Sequence, residues 1–353
     1  MNKTSLATHL GIRYPIVQGP FGGGLSSVEL TKTVSEYGAL GSFGGQPYTA
    51  AEIVDICNAI RKVTGKPFNI NLWVNDRDEA LSSFDDAAYS KLTDIFKPYF
   101  DELGLPIPPK PGDLGPTFPD QVQAIFDARP AVFSFVYGIP APDILDRCRS
   151  LGIKTVGNAT TADEAVALES AGVDMVVATG FEAGGHRVSF LKTAEDSLTG
   201  VFSLVPQVVD RVSIPVIAAG GIADARGVRA AMALGASGVQ VGTAFLATDQ
   251  SGATKHHRDR LFSSDARDTT LTKVFTGRLA RGLRNRLTEE LRAKQNDMAP
   301  YPLQGRFMRA LRAYPATGET DSPFQSHWAG QSSPLLKHRD ASKLLGALVD
   351  GLT

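Results

Sequence analysis

The sequence predicts an α/β fold of eight repeating units, the (β/α)8 TIM barrel. Three observations predict it. Eight short apolar segments recur over about 250 residues, with helical patterns between them, an alternation that implies parallel strands joined by helical crossovers. The first, second, sixth and seventh segments end in glycine clusters, which a closed barrel gathers at its C-terminal face. Eight units close a barrel, whereas a doubly wound open sheet shares the alternation and differs in strand order, which the sequence does not reveal.

In order, Pro15-Ile16-Val17-Gln18-Gly19-Pro20 reads as a strand, followed by the glycine loop 21–26. Ser26 or Ser27 caps a helix that runs through Glu36, with Glu29 in its first turn. Residues 38–45 form a second strand, 50–63 a helix, and 68–74 a third strand that alternates apolar and amide side chains. The rhythm then breaks. Residues 75–119 hold one helical patch, 85–100, and a proline-rich turn region, 105–116, which reads as an inserted subdomain or lid. Strands at 131–137, 154–159, 174–179, 215–219 and 238–245 follow, with helices at 120–128, 142–150, 162–171, 201–211 and 223–234. A polar loop covers 187–199. Beyond about residue 250 no strand is expected. Residues 270–296 read as basic and helical, Pro300, Pro302 and Pro315 punctuate the tail, and a last helix covers about 340–352. The expected division is a barrel over 1–268, carrying the insertion 75–119, and a helical cap over 269–353 on the barrel mouth.

The chain has 353 residues, 42% hydrophobic and 21% charged, enough for a large core without staples. With 36 basic and 37 acidic residues the net charge is -1, so no global field gathers nucleic acid or an anionic membrane, and neither is expected as a partner. Cys57 and Cys148 each fall in a predicted helix and read as buried inert thiols, not as a disulfide or zinc pair. No signal peptide or membrane span is apparent, which makes a cytoplasmic location the default and empties the sequons at Asn2 and Asn158 of meaning.

Chemistry concentrates at Thr179-Gly180-Phe181-Glu182-Ala183-Gly184-Gly185-His186-Arg187, after the sixth strand. Glycine lets backbone approach a flat or anionic ligand, and His186 puts one titratable group beside it. His186 reads as a general base or a donor to a developing anion, against the alternative of a ring packed under a loop; its place at a barrel's catalytic face favours the first. Gly220-Gly221 and Gly242-Thr243 each fit either tight turns or a phosphate, and together on the last two strands they favour phosphate. Asn71 ends the third strand, as a ligand contact or the cap of a loop. Glu182 reads as the partner of a nearby arginine. Arg278, Arg281, Arg284 and Arg286 read mainly as a solvated helix face, with pairing to a ligand phosphate as the alternative for some, and Tyr301 and Trp328 mainly as core packing, with the lining of the barrel mouth as the alternative. His256-His257 lacks the further ligands of a metal site, and the remaining histidines read as surface or local structural groups.

These residues resemble the nitronate monooxygenases, formerly 2-nitropropane dioxygenases. The likeness rests on Pro15 to Gly24, Glu182 to Arg187, Ala218 to Ile222 and Gly238 to Phe245, with further matches at Thr276 to Gly282 and Trp328 to Gln331, and spans nearly the whole chain. The resemblance implies a barrel with non-covalent FMN that oxidises alkyl nitronates with O2 to a carbonyl compound and nitrite. It places the catalytic histidine on His186. It places flavin contacts on Asn71, Gly184, Gly221, Gln240, Val241, Gly242 and Thr243, with Pro20, Phe21, Gly22, Thr179, Gly185 and Gly220 beside them. Thr179 stands where the family commonly has Gln, and Val188 where it commonly has Gly after the His-Arg pair. A related NAD(P)H-dependent flavin reductase, acting on quinones or enoyl thioesters, and a non-catalytic flavin-binding module are the alternatives. A homodimer is compatible with all three.

Overall fold

Strand segments rich in Val, Ile, Ala and Phe and short of charge bury both faces, and here they form the inner wall of a barrel. The computed structural model describes residues 6–75, 77–112, 114–314 and 322–352; the N-terminal segment with Asn2, and Pro315, lie outside the described residues. The wall consists of β1 (Ile16–Gln18), β2 (Gly41–Gly44), β3 (Phe68–Trp73), β4 (Val132–Val136), β5 (Lys154–Ala159) and β6 (Met175–Thr179), with β8 (Val216–Ala219) and β9 (Gly238–Val241). The two-residue strand β7 (Gly185–His186) lies outside it. The order is β1-β9-β8-β6-β5-β4-β3-β2, with every pairing parallel. Gln18 N donates to Leu40 O and Leu40 N to Ile16 O, both at 2.9 Å, which joins β1 to the start of β2 and closes the ring. That closure excludes the doubly wound order.

Alternation along β3 sorts its side chains. Phe68, Ile70 and Leu72 join the apolar cluster between wall and helices. Asn69 and Asn71 belong to a polar ladder instead: Asn69 Nδ2 donates to Ser42 Oγ at 3.2 Å and Ser134 Oγ at 2.8 Å, and Asn71 Nδ2 to Ser134 Oγ at 2.9 Å. The helix Val28–Tyr37 begins at Ser27, whose Oγ accepts from Leu30 N at 2.9 Å, and helix Ala50–Val63 begins at a Thr49–Glu52 capping box. Cys57 and Cys148 lie buried in helices, and burial raises each thiol to about 11.

The structure departs from the expectation in three places. The last barrel strand stops at Val241; Gly242 (φ -99°, ψ -86°) turns the chain and Thr243–Leu246 is helical. Strands do occur after residue 250: β10 (Thr269–Thr272) and β11 (Ala280–Leu283) form an antiparallel sheet with β7. The helix expected over 270–296 reduces to Arg286–Glu290 and a 3-10 helix at Arg292–Asp297, because Gly277 (φ +85°) and Gly282 serve a turn and a close strand contact that a helix does not supply. The insertion's helix Asp86–Glu102 shares one apolar cluster with the tail, Leu92, Phe96 and Phe100 meeting Phe275, Phe307 and Phe324. Among the described residues, no helix is long and apolar enough to cross a membrane.

Candidate active site

The loops at the C-terminal ends of the barrel strands surround a cavity of about 700 Å³. Pro20, Phe21, Gly22, Asn71, Gly220, Gly221, Gln240, Gly242 and Thr243 line it, as do Thr179, Gly184, Gly185 and His186. Val241 does not, because its side chain is fully buried in the core behind β9.

The segment after β6 is held by its own chemistry. Gly180 N donates to Ala219 O at 2.9 Å and Phe181 N to Thr199 O at 3.0 Å. Among the described residues the Glu182 carboxylate makes no direct ion pair with an arginine, although its charge acts on Arg187 and Arg281. It accepts from Val201 N at 2.9 and 3.0 Å, at the positive end of helix Val201–Val209. A Cβ on Gly184 would stand 2.6 Å from Gly330 N and 2.7 Å from the Ala329 carbonyl carbon, so the tail's crossing is what demands glycine there. His186 pairs with Ala280 of β11, and Arg187 N donates to Leu279 O at 2.8 Å. The Arg187 guanidinium is buried and donates to Thr160 O at 3.1 Å, to Ser197 Oγ at 3.2 Å, and to the carbonyls of Thr179 and Ser197. Burial lowers its pKa to about 10, offset by Glu164 and Glu182, so it remains a cation that ties the histidine segment to the strand ends.

The His186 ring lies edge-on to Trp73, centroids 5.0 Å apart, and 5.4 Å from Trp328. Its Nε2 is 2.9 Å from Thr276 Oγ1. Burial, then the charges of Arg278 and Arg312, lower its pKa to about 3, so the ring is neutral near neutral pH. Arg278 and Arg281 are not on a solvated helix face; they are 8% and 4% exposed, Arg278 in the turn before β11 and Arg281 on β11 itself. Arg278 stands 4.2 Å from the Tyr137 ring and 4.3 Å from the Tyr301 ring, and donates to Asp78 Oδ1 and Asn75 O, both at 2.8 Å. Arg281 Nε donates to Phe181 O at 3.0 Å. Arg284 and Arg286 stay near the surface, paired with acidic partners. Tyr301 and Trp328 line the cavity and also pack in apolar clusters as expected, Tyr301 with Trp73, Tyr137 and Val188, of which Trp73 and Val188 are on the cavity wall too.

Several lining groups escaped the sequence reading. Asn158, dismissed as an empty sequon, lies near the end of β5 as Asn71 lies near the end of β3, and that shared position was the available signal. Its Oδ1, like Thr179 Oγ1, is buried without a hydrogen-bond partner. Arg306, Arg309 and Arg312 line the cavity from the tail. Arg312 Nε donates to Gln325 Oε1 at 3.1 Å, and burial lowers its pKa. No sequence signal marked these arginines, since only the chain's return over the barrel brings them there. His257 and His327 are local structural groups as expected: His257 Nε2 is 3.0 Å from Trp328 O, and His327 Nδ1 3.0 Å from Arg260 Nη1.

The sequence pattern of the nitronate monooxygenases matches residues 3–351. A probable nitronate monooxygenase of Staphylococcus haemolyticus (strain JCSC1435) is 38% identical over 351 residues, covering 99% of this chain and 96% of its own. One of Staphylococcus aureus (strain Newman) is 38% identical over 350 residues, covering 99% and 97%. Among solved structures, a nitroalkane oxidase from Streptomyces ansochromogenes superposes with a TM-score of 0.90 at 32% identity, over 99% of this chain and 98% of the other. FabK from Thermotoga maritima superposes with a TM-score of 0.75 at 26% identity, over 98% and 95%. With the pattern matched almost end to end on a closed parallel barrel, the chain belongs to the nitronate monooxygenase family.

Proposed function

We propose that the cavity holds flavin mononucleotide and that the protein oxidises alkyl nitronates with O2 to a carbonyl compound and nitrite, with His186 acting on the substrate. The observation that carries the reading is a neutral histidine on the wall of a cavity whose polar lining is incomplete. Thr179 Oγ1 and Asn158 Oδ1 lack partners, a state that costs about 1–3 kcal/mol per group and fits a heteroaromatic edge bearing N–H and C=O groups. The N–H groups of Gly221 and Thr243 donate to no acceptor among the described residues, which suits a phosphate. Asn71, Thr179 and Gln240 would hold the ring edge, Gly220, Gly221, Gly242 and Thr243 the phosphate, and Pro20, Phe21, Gly22, Gly184 and Gly185 would bring backbone close. When bound, the flavin supplies the electron acceptor and the O2 chemistry that no side chain here offers.

The remaining chemistry belongs to the chain. A neutral His186 takes the proton from a neutral nitroalkane and leaves the anionic nitronate. The Arg312 cation stabilises the anionic nitro group as its charge develops. Trp73, Trp328, Tyr301 and Val188 keep water from the histidine.

A second reading, an NAD(P)H-dependent flavin reductase, draws on Arg306, Arg309 and Arg312 in the lining, which suit a phosphate-bearing co-substrate. One experiment separates the two. Purified protein is scanned for flavin absorbance, then mixed anaerobically with a small alkyl nitronate and, separately, with NADH. Bleaching by nitronate alone is expected. Rapid bleaching by NADH moves the assignment to the reductase, and protein that neither carries nor takes up FMN ends both readings.

A further inference from the structure

We infer that Thr276 is a positioning residue that holds the proton of His186 on Nε2 and so leaves Nδ1 as the ring's basic atom. The inference rests on the role given to His186 above. It starts from a count of donors. Thr276 Oγ1 has one proton and two neighbours that accept it, His186 Nε2 at 2.9 Å and Arg278 O at 3.2 Å. If the hydroxyl donates to the ring, the Arg278 carbonyl, on a residue only 8% exposed, loses this donor, and the ring proton sits on Nδ1. If the hydroxyl donates to the carbonyl, its oxygen accepts from Nε2–H. Two hydrogen bonds then form in place of one, and the carbonyl is satisfied. The second arrangement is favoured because a buried acceptor left bare costs more than a made hydrogen bond gains.

The backbone fixes this relay. Thr276 N and Gly277 N both donate to Lys273 O, at 3.3 and 2.8 Å. Gly277 sits at φ +85° with no room for a Cβ, which would meet Ala299 O at 2.2 Å, so the turn carrying Thr276 is set by packing. On the other side, His186 is in register with Ala280, four residues beyond Thr276. Trp73 and Trp328 limit the ring's rotation. Nδ1 has no hydrogen-bond partner among the described residues.

The chemical consequence is that one atom is assigned the proton transfer. With a neutral nitroalkane, the Cα–H proton passes to Nδ1. The C–H electron pair becomes the C=N bond, and an N=O pair moves onto oxygen to give the nitronate. The imidazolium keeps its Nε2–H on Thr276, so nothing else has to move.

The test reads the tautomer directly. Full-length protein labelled with ¹⁵N-histidine is observed by NMR, with His186 assigned by its loss in His186→Gln. Wild type and Thr276→Ser are expected to show the Nε2–H tautomer, and Thr276→Val a shift toward Nδ1–H. An Nδ1–H tautomer in wild type, or a Thr276→Val spectrum unchanged from wild type, overturns the inference. As a second readout, kcat on a neutral nitroalkane should fall about tenfold or more in Thr276→Val with KM held, and recover in Thr276→Ser. An undiminished kcat in Thr276→Val also counts against it. If wild type turns over no nitroalkane, the functional reading fails, and the tautomer measurement in the resting protein decides the inference by itself.

Discussion

A half-buried histidine held neutral between two tryptophans works against its own folded state, and that tension can be measured. Its folded pKa, about 3, lies below the 6.5 of a free imidazole. Between those values the unfolded chain binds a proton that the folded chain refuses, so stability falls as pH drops through the window from 6.5 toward 3. His186→Gln should therefore flatten that acid limb in urea titrations while abolishing most turnover, by about 10²–10⁴-fold for a lost acid–base group, and should retain flavin. A variant with the wild-type slope would show that the ring is not desolvated as described. Thr179 offers a test with opposite signs. Its Oγ1 is buried and unpartnered, so the near-isosteric Thr179→Val should raise the melting temperature of flavin-free protein. If the hydroxyl meets the cofactor, the same change should weaken FMN binding by about tenfold. A variant that gains stability and keeps its FMN affinity would remove Thr179 from the flavin site.

At the scale of elements, the short β7 matters more than its two residues suggest. It pairs with β11, so the tail sets the position of the histidine. Arg187 is the other anchor. Replacing it with Met preserves much of its apolar stem but strips donors from three carbonyls and from Ser197 Oγ. Arg187→Met should cost about 3 kcal/mol in chemical denaturation and lower activity without any contact to substrate. A loss under about 0.5 kcal/mol would mean that those carbonyls find other donors. The sequence read residues 270–296 as helical, with the arginines at 278–286 on a solvated face. A turn and a strand stand there instead, and a strand whose partners lie about 10 and 95 residues away leaves no local periodicity to read.

At the scale of the molecule, two apolar cores meet at the site. One joins the barrel wall to its helices; the other joins the insertion's helix to the tail. Arg278 links this second body to the cavity, since Asp78 accepts from Arg278 and from Tyr301 N at 2.8 Å each. Phe307 is fully buried in the second core, against Phe96 and Phe100 at 5.5 Å. Phe307→Ala should cost about 3–5 kcal/mol where it acts. Hydrogen exchange should rise first in 86–102 and 287–311 while the barrel strands stay protected. Uniform loss of protection across both bodies would show a single cooperative unit.

The sequence by itself determined the eight β/α units, their strand and helix boundaries to within a few residues, and the histidine segment, while the strand order that closes the barrel came from the structure. Local rules act there: apolar runs seek burial, glycine permits turns and close approach, and serine and threonine cap helices. It also placed all but Val241 of the residues chosen for the cofactor on the cavity lining, because barrel geometry sends the end of every strand to one face. Only the tertiary structure decided what surrounds the histidine. Thr276, Trp328 and Arg312 reach it from 90, 142 and 126 residues away, and Arg278 acts on it from behind an aromatic wall. Contacts that span so much chain obey no short period. They exist because the tail must bury its apolar face against the insertion, and that packing carries its polar side chains to the barrel mouth.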